Sequence, residues 1–403
     1  MNILYLCEEY PPGKNGGIGT MVQVLARALV KQGHNVFVIG LYPHGYKQAD
    51  YEEDEGVKVW RRRYTTDIGL IKNTFSFSDN LAWKILKYTT LLHWDTKFSA
   101  TTLFNFIKNI IEEYTIDIVE MPDWNTMLHN SLTPLTVPAF KIPLVVKLHG
   151  SSSYFSTETG IPLNEKIFKA EKKLLQRADA VSSVSRYTAD QTKKIFNFDK
   201  AMAVLYNSIN TIPENSLNRE DNKIVFTGAL VQRKGVHSLL KAWNIVSRQI
   251  PSLKLHLYGK GPVDELKKMI EPDILSSVIF HKHVARELLL RELSTAAVAI
   301  FPSYSECFSM APLEAMSAGC AVIYTERSSG PELINHKKNG LLIDPDNIDA
   351  IANALLLLSK DKELRTTIAK SGKELVTDKF NVINAAGEHI NFYSEVIKRF
   401  KMK

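Results

Sequence analysis

Cysteine is scarce in this chain of 403 residues, which contains three: Cys7, Cys307 and Cys320. An odd number of cysteines, none at the spacing of metal ligands, argues against a disulfide framework and against a structural zinc site. We therefore expect a protein of a reducing compartment, for which the cytoplasm is the simplest choice.

Long apolar runs and regions of a single charge are also missing. No stretch approaches the ~18 uninterrupted apolar residues of a membrane span, and the N-terminus passes directly into a strand-like run. We therefore expect neither a membrane helix nor a signal peptide. The 50 Lys and Arg against 43 Asp and Glu leave a net charge of +7. This excess is spread over both halves of the chain, so no nucleic-acid surface is expected.

Glycine and proline are not in excess, whereas 45% of the residues are hydrophobic. Such a composition excludes wholesale disorder and fibrous repeats. Since a common domain has ~150 residues, the length fits two large domains better than one.

Strand-like and helix-like patterns alternate along the chain, beginning with a strand at 2–10, a helix at 18–31 and a strand at 36–39. Later examples are a strand at 180–183, a helix at 186–196 and a strand at 254–258. Alternation of this kind predicts a parallel sheet covered by helices. It lapses in a polar stretch and then resumes, which predicts an α/β protein with two doubly wound domains. The expected parts are an N-terminal domain at 1–206, a linker at 207–222, a C-terminal domain at 223–380, and a final helix at 381–403 that packs back on the N-terminal domain.

A glycine turn, Gly16-Gly17-Ile18-Gly19, precedes the first predicted helix. Glycine allows close backbone approach, and free N–H groups at a helix start attract phosphate, so a pyrophosphate would fit there. A turn without any ligand is the alternative.

The segment 303–316, which follows a buried strand, carries Glu306 in a loop and Glu314 one turn into a helix. Ligands of open α/β sheets bind beyond the carboxyl ends of strands. Backbone N–H groups of Ser309, Met310 and Ala311 would face an anion there, Glu314 could accept from a ribose diol, and Glu306 could hold sugar hydroxyls. The alternative is a helix-dipole carboxylate beside a solvated acid.

Two adjacent cations, Arg233 and Lys234, follow Gly228 near the first strand of the second domain. Their charge would offset the charge on a departing diphosphate without a metal. A solvated surface pair is the alternative.

His149 ends a buried strand of the first domain, where an imidazole commonly faces a cleft. A histidine bound to a neighbouring carbonyl is the alternative. The pair Asp344 and Asp346 resembles a metal-binding motif, but these residues lie in a strand-to-helix turn, where Asp is an ordinary capping residue. We therefore expect no metal site.

Together these segments resemble the retaining glycosyltransferases of family 4, which have the GT-B fold: two facing Rossmann-like domains with a cleft between them. The resemblance spans nearly the whole chain. It is carried by Gly16-Gly17, Gly33-His34-x-Val36, His149-Gly150, Ala178-Asp179-Ala180-Val181 before Ser185, Asn207-Ser208-Ile209-Asn210, Lys234-Gly235, Tyr258-Gly259-x-Gly261-Pro262, Gly330-Pro331-Glu332, and Glu306 followed after seven residues by Glu314-Ala315-Met316-x-x-Gly319.

The resemblance implies a role for each candidate residue. Glu306 would contact the donor sugar and Glu314 the nucleotide ribose. Ser309, Met310 and Ala311 would supply backbone donors, and Gly228 and Gly259 would also line the donor. Lys234 would bind the diphosphate with Gly17, and His149 would lie near the transferred sugar. The family usually has a basic residue where this chain has Ala229, and Arg233 is the candidate replacement. Cys307 and Ser309 stand where the family often has glycine.

The implied reaction transfers a sugar from a UDP- or GDP-sugar to an acceptor hydroxyl with retention of anomeric configuration and without a cofactor. A bacterial cell-surface glycan or glycolipid, lipid-linked glycans included, is the expected acceptor. Two alternatives remain: a nucleotide-sugar epimerase or phosphorylase-like enzyme of the same fold, and a catalytically silent nucleotide-sugar binding protein suggested by Ala229.

Aromatic and basic residues are mixed at 71–98, just after Arg61-Arg62-Arg63. This mixture suits peripheral contact with an anionic membrane, which would place the protein at the inner face of the plasma membrane. The alternative is a pair of ordinary helices that bury those aromatics in the first domain.

Overall fold

The computed structural model describes residues 1–12, 16–42, 48–63, 90–126, 136–212, 218–282 and 284–403. The chain divides into two compact units. The first comprises Met1–Val184, Thr188–Leu205 and Ala385–Lys403, and the second comprises Ser185–Tyr187 and Tyr206–Asn384.

The first unit contains, in its described part, an eight-stranded sheet with the order β3-β4-β2-β1-β5-β6-β7-β8. All its neighbouring pairs are parallel except β3 and β4. The strands are β1 (Asn2–Leu6), β2 (Asn35–Tyr42), β3 (Tyr51–Asp54), β4 (Val57–Arg63), β5 (Ile118–Pro122), β6 (Leu144–Leu148), β7 (Ala180–Ser183) and β8 (Met202–Val204).

Helices with one apolar face cover this sheet, because each must bury that face against the strands. They are α1 (Gly17–Lys31), α2 (Thr90–Glu113), α3 (Ser152–Glu158), α4 (Glu165–Arg177) and α5 (Arg186–Phe196). The core joins Leu4 and Phe37 of the strands to Leu103, Ile107 and Leu174 of the helices.

The second unit contains a sheet whose six described strands are all parallel, in the order β11-β10-β9-β12-β13-β14. The strands are β9 (Glu220–Thr227), β10 (Lys254–Tyr258), β11 (Val278–His281), β12 (Ala296–Phe301), β13 (Ala321–Thr325) and β14 (Leu341–Ile343). Strands β9 and β12 are neighbours, with Val298 opposite Ile224. The carboxyl ends of β9 and β12 therefore lie side by side.

The helices that follow β9 are α6 (Val236–Gln249), α7 (Val263–Lys267), α8 (Arg286–Thr295), α9 (Met310–Ser317), α10 (Gly330–Leu333), α11 (Ile348–Lys360), α12 (Lys362–Lys379) and α13 (Val382–Lys401). Trp243 of α6 is fully buried in the core of the second unit, in one cluster with Leu255 of β10 and Leu355 of α11. The greater part of α13, from Ala385 onward, belongs to the first unit.

The predicted α/β class is confirmed, and the predicted bounds of β7, α5 and β10 coincide with those observed. Some expectations were wrong. The strand predicted at 2–10 ends at Leu6. Helix α12 was not predicted from the sequence. Strand β9 begins at Glu220, inside the predicted linker. The antiparallel pair β3 and β4 was missed because its strands carry charged residues in place of an apolar run.

The position of Arg61 in the structure weakens the hypothesis that the first domain contacts a membrane. This side chain is 0% exposed, forms an ion pair with Glu52 and donates to the carbonyl of Pro11 at 3.0 Å. Burial removes it from any lipid surface. Most of the segment at 71–98 lies outside the described residues. Among all the described residues of the chain, no helix combines the length and the apolar character that crossing a bilayer requires.

Candidate active site

A lysine and a glutamate meet at the carboxyl edge of the second sheet. The Lys234 Nζ donates to the Glu306 Oε1 at 2.6 Å. The two residues are far apart in sequence, and the adjacency of β9 and β12 brings their loops together. The structure thus joins two of the sequence-predicted residues in one ion pair.

The loop that carries Lys234 is fixed by close packing. Residues Gln232–Lys234 form one 3-10 turn, after which Gly235 adopts a φ of 74° and begins α6. A Cβ at Gly235 would lie 1.7 Å from the carbonyl oxygen of Pro302, so only glycine fits both the backbone angle and the space. The Tyr304 N–H also donates to the carbonyl of Arg233 at 2.8 Å, which links the two loops directly.

Arg233 contributes a second positive charge beside Glu306. Its Nη1 donates to the carbonyl of Ser305 at 3.0 Å. Burial by itself would raise the pKa of Glu306, but the charges of Lys234 and Arg233 outweigh burial and hold that pKa below its usual value. Glu306 is therefore an ionised carboxylate near neutral pH, paired with Lys234 and influenced by the charge of Arg233.

Glu314 lies in α9 and is buried, like Glu306. Arg286, at the start of α8, forms an ion pair with its Oε1 at 2.7 Å. Burial raises the pKa of Glu314, and the charge of Arg286 offsets this only in part. Arg286 was not predicted from the sequence, because nothing in its local pattern distinguishes it from a solvated arginine.

Helix α9 begins where the sequence predicted an anion-facing helix start. Ser309 occupies the N-cap position without a side-chain capping bond, and Met310 and Ala311 form the first turn. Pro312 follows in that turn, where the absence of an N–H has no cost.

Gly228 and Gly259 pack against each other at the ends of β9 and β10. The Gly228 N–H donates to the carbonyl of Tyr258 at 2.9 Å, and a Cβ at Gly259 would lie 1.8 Å from the Gly228 oxygen. Packing thus explains Gly259 without any ligand, and the φ of 143° at Gly228 is a backbone angle that favours glycine.

Gly17, in the first unit, is not explained by packing against any described residue. A Cβ at Gly19 would collide with the backbone of Glu9 and one at Gly16 with the end of the Glu9 side chain, whereas a Cβ at Gly17 would meet none of the described residues within 4 Å. Backbone packing thus explains Gly19, while the described residues leave space beside Gly17.

His149, also in the first unit, follows β6 directly. Its backbone N–H donates to the Asp123 Oδ1 at 2.8 Å. Burial and the charge of Lys147 hold the pKa of His149 well below its usual value, so the imidazole is neutral near pH 7.

Two family models match this chain. The model of glycosyltransferase family 4 matches residues 15–212, and the model of glycosyl transferases group 1 matches residues 208–375. Between them they span both units of the fold. This chain is a family 4-type glycosyltransferase.

Relatives of the glycosyltransferase match along most of its length. An uncharacterised glycosyltransferase of Methanocaldococcus jannaschii is 27% identical over 98% of this chain and 98% of its own. The glycogen synthase of Mycobacterium tuberculosis is 23% identical over 94% of this chain and 91% of its own. The GDP-mannose-dependent alpha-(1-6)-phosphatidylinositol monomannoside mannosyltransferase of that bacterium is 25% identical over 63% of this chain and 72% of its own.

Solved structures support the GT-B fold for the glycosyltransferase. The sucrose-phosphate synthase of Thermosynechococcus elongatus superimposes with a TM-score of 0.76, at 18% identity over 99% of both chains. HepE of Anabaena, in complex with UDP and glucose, gives a TM-score of 0.70 at 17% identity over 98% of this chain and 100% of its own. At these identities the likeness concerns the fold alone.

The aspartate pair of the glycosyltransferase is bound by an arginine. Arg327 Nη2 lies 2.6 Å from both the Asp344 Oδ1 and the Asp346 Oδ2. The Asp346 N–H donates to the Asp344 Oδ1 at 3.2 Å, the geometry of a turn. In the described parts of the chain, no group of three or more His, Cys, Asp or Glu side chains is arranged to hold a metal ion.

Proposed function

We propose that this glycosyltransferase moves a sugar from a nucleoside diphosphate sugar to an acceptor hydroxyl with retention of anomeric configuration. The observation that carries the proposal is the Lys234–Glu306 pair, 2.6 Å long, at the carboxyl edge of the second sheet. It places a cation and an ionised carboxylate at the edge where open α/β sheets bind ligands.

The pair suits a reaction in which diphosphate departs. Lys234 and Arg233 would stabilise the negative charge that develops on the leaving group, while Glu306 would accept hydrogen bonds from sugar hydroxyls. When a donor binds, its diphosphate competes with Glu306 for Lys234. Catalysis then rests on orientation and charge stabilisation and needs no protein nucleophile.

Arg233 is proposed to supply the charge that Ala229 lacks. Its guanidinium is bonded to Ser305, one residue before Glu306, and acts on the Glu306 carboxylate. This position favours an active transferase over a silent binding protein.

Glu314 is proposed to accept hydrogen bonds from the ribose diol of the donor. Binding would require the diol to share or replace Arg286 at this carboxylate. The backbone N–H groups at the start of α9 would add partial positive charge for the diphosphate. The residues that bind the donor would thus come mainly from 223–380.

The first domain, at 1–206, is proposed to bind the acceptor, with Gly17 near the pyrophosphate and neutral His149 near the transferred sugar. UDP in the HepE complex and GDP-mannose in the name of the mycobacterial relative make both bases candidates for the donor. The phosphatidylinositol mannoside in that relative's name supports a glycolipid or cell-surface glycan as acceptor. A cytoplasmic enzyme at the inner face of the plasma membrane would meet such acceptors.

A screen tests the proposal in two steps. Thermal unfolding with a panel of UDP- and GDP-sugars should identify a donor, because a ligand that binds only the native state raises the midpoint. With that donor, nucleoside diphosphate should be released when an acceptor glycan is added. No shift with any nucleotide sugar, or consumption of the donor without glycoside product, would contradict the proposal.

A further inference from the structure

The loop that begins at His149 is held by two buried carboxylates of the first unit. The Asp123 Oδ1 accepts from the His149 N–H at 2.8 Å, and its Oδ2 accepts from the Gly150 N–H at 3.2 Å. Glu171 continues the pattern: its Oε1 accepts from the Ser152 N–H at 2.8 Å and its Oε2 from the Ser153 N–H at 3.1 Å. Four backbone donors of five consecutive residues thus face protein carboxylates.

The carboxylates come from two different elements. Asp123 follows β5, the neighbour of β6, and Glu171 lies in the middle of α4. Backbone N–H groups that converge in this way often bind an external anion. Here the protein's own carboxylates occupy them, so the loop is fixed before any substrate arrives.

Burial of a carboxylate costs free energy, so the burial of both Asp123 and Glu171 requires an explanation. Asp123 is 3% exposed and Glu171 is 2% exposed. A buried carboxylate is tolerated when hydrogen bonds satisfy it, and bonds to a charged acceptor are stronger than neutral ones. Glu171 also caps the first turn of α3, whose free N–H groups need acceptors, whereas Asp123 binds two residues that belong to no helix.

We propose that Asp123 and Glu171 are positioning residues of sugar transfer, which fix the backbone of residues 149–153 and thereby hold the His149 side chain in its reactive place. This inference rests on the proposed function of His149. It assigns Asp123 and Glu171 no contact with the substrate.

The proposal implies a pH dependence near neutrality. Burial raises the pKa of Asp123 to about 7; the bonds from His149 and Gly150 oppose this rise, and the charge of Glu171 of α4 adds to it. On β6, Lys147 acts on the His149 imidazole. The raised pKa means that the closed site favours the protonated carboxyl, whereas a carboxyl opened to water ionises at its ordinary pKa. Ionisation of Asp123 therefore favours opening, and the loop should be held more firmly below about pH 7 than above it.

Hydrogen exchange of single amides, read by mass spectrometry with electron-transfer fragmentation, tests the clamp without any substrate. In Asp123→Asn, the protection factor of the His149 or Gly150 amide should fall about tenfold or more, because an amide side chain retains only one acceptor oxygen. Glu171→Gln should do the same at Ser152 or Ser153. Unchanged protection in both variants would overturn the proposal.

Asp179→Asn is the matched control. The Asp179 Oδ2 also accepts from a backbone N–H of β6, that of Leu144 at 3.0 Å, but at the opposite end of the strand. This variant should leave the protection of residues 149–153 unchanged. In the wild-type protein, the protection factors of His149 and Gly150 should also fall from about pH 6 to about pH 8, as Asp123 ionises. This readout needs no variant, so it holds even if Asp123→Asn fails to fold, and pH-independent protection would count against the clamp.

Kinetics then separate positioning from a structural role. In Asp123→Asn, kcat should fall about ten- to a hundredfold, since misplacing a reactive group by ~1 Å can cost that much, while the donor Kd stays within about twofold. The fall of the wild-type kcat on the alkaline side of about pH 7 should be lost. A kcat equal to wild type, despite lost protection, would refute positioning. If no donor turns over, the exchange result still stands and the proposed function alone has failed.

Discussion

Replacing Lys234 with methionine removes one charge and keeps the length and apolar stem of the side chain. In the structure this change leaves the Glu306 carboxylate, whose side chain is 8% exposed, without its partner at 2.6 Å. Arg233 remains as the second cation. The change therefore tests the ion pair with little change in side-chain volume.

Two free energies should respond by different amounts. Exposed ion pairs contribute up to ~1 kcal/mol and breaking a buried pair costs ~3–5 kcal/mol. Because the Lys234 side chain is 21% exposed, we expect the free energy of unfolding to fall by about 2 kcal/mol, between those limits. Loss of transition-state charge stabilisation costs ~3–4 kcal/mol, which is a fall in kcat of about a hundredfold or more.

The assay is nucleoside diphosphate release with the donor found by screening, and Lys223→Met is the control. Lys223 also forms an ion pair, with Glu292 at 2.8 Å, near the start of β9, and its side chain is 6% exposed. This control should lose at least as much stability but keep its kcat. Equal kcat losses in both variants would refute the reasoning, because the effect would then come from lost stability.

Three further outcomes are expected. Glu314→Ala should raise the donor KM and leave kcat nearly unchanged, since a ribose contact is similar in the ground and transition states; an unchanged KM would remove that role. Arg233→Gln should lower kcat about tenfold or more if its charge acts on the leaving diphosphate, and full activity would return attention to Ala229. Activity should persist in EDTA, because Lys234, Arg233 and the start of α9 already supply positive charge; loss in EDTA with rescue by Mg²⁺ or Mn²⁺ would reopen the question of Asp344 and Asp346.

Local sequence patterns were sufficient to predict most strands and helices of this glycosyltransferase. The strand at 180–183 and the start of α5 at Arg186 were placed correctly, because strand and helix patterns are properties of neighbouring residues. Helix α12 was missed because it carries many charged residues and a weak apolar stripe. The three-residue strand β8 was missed because it is too short to show a period.

The pairing of site residues could not be predicted, because it depends on sheet order. Nothing between Lys234 and Glu306 in sequence indicates that β9 and β12 are neighbours. Arg286 and Glu171 read as ordinary surface charges on helices until the fold brings them to Glu314 and to the loop after β6. The position of Asp123 just after a buried strand was the feature of the sequence that could have indicated a role for it.

The configuration of the transferred sugar tests the central claim most directly. Proton NMR of the reaction between the donor and an acceptor should show a new anomeric signal with the coupling constant of the donor's own anomer, and its growth should match the release of nucleoside diphosphate. Lys234→Met should slow both signals together. An inverted anomer, or a donor consumed without any glycoside signal, would contradict retaining transfer at this site.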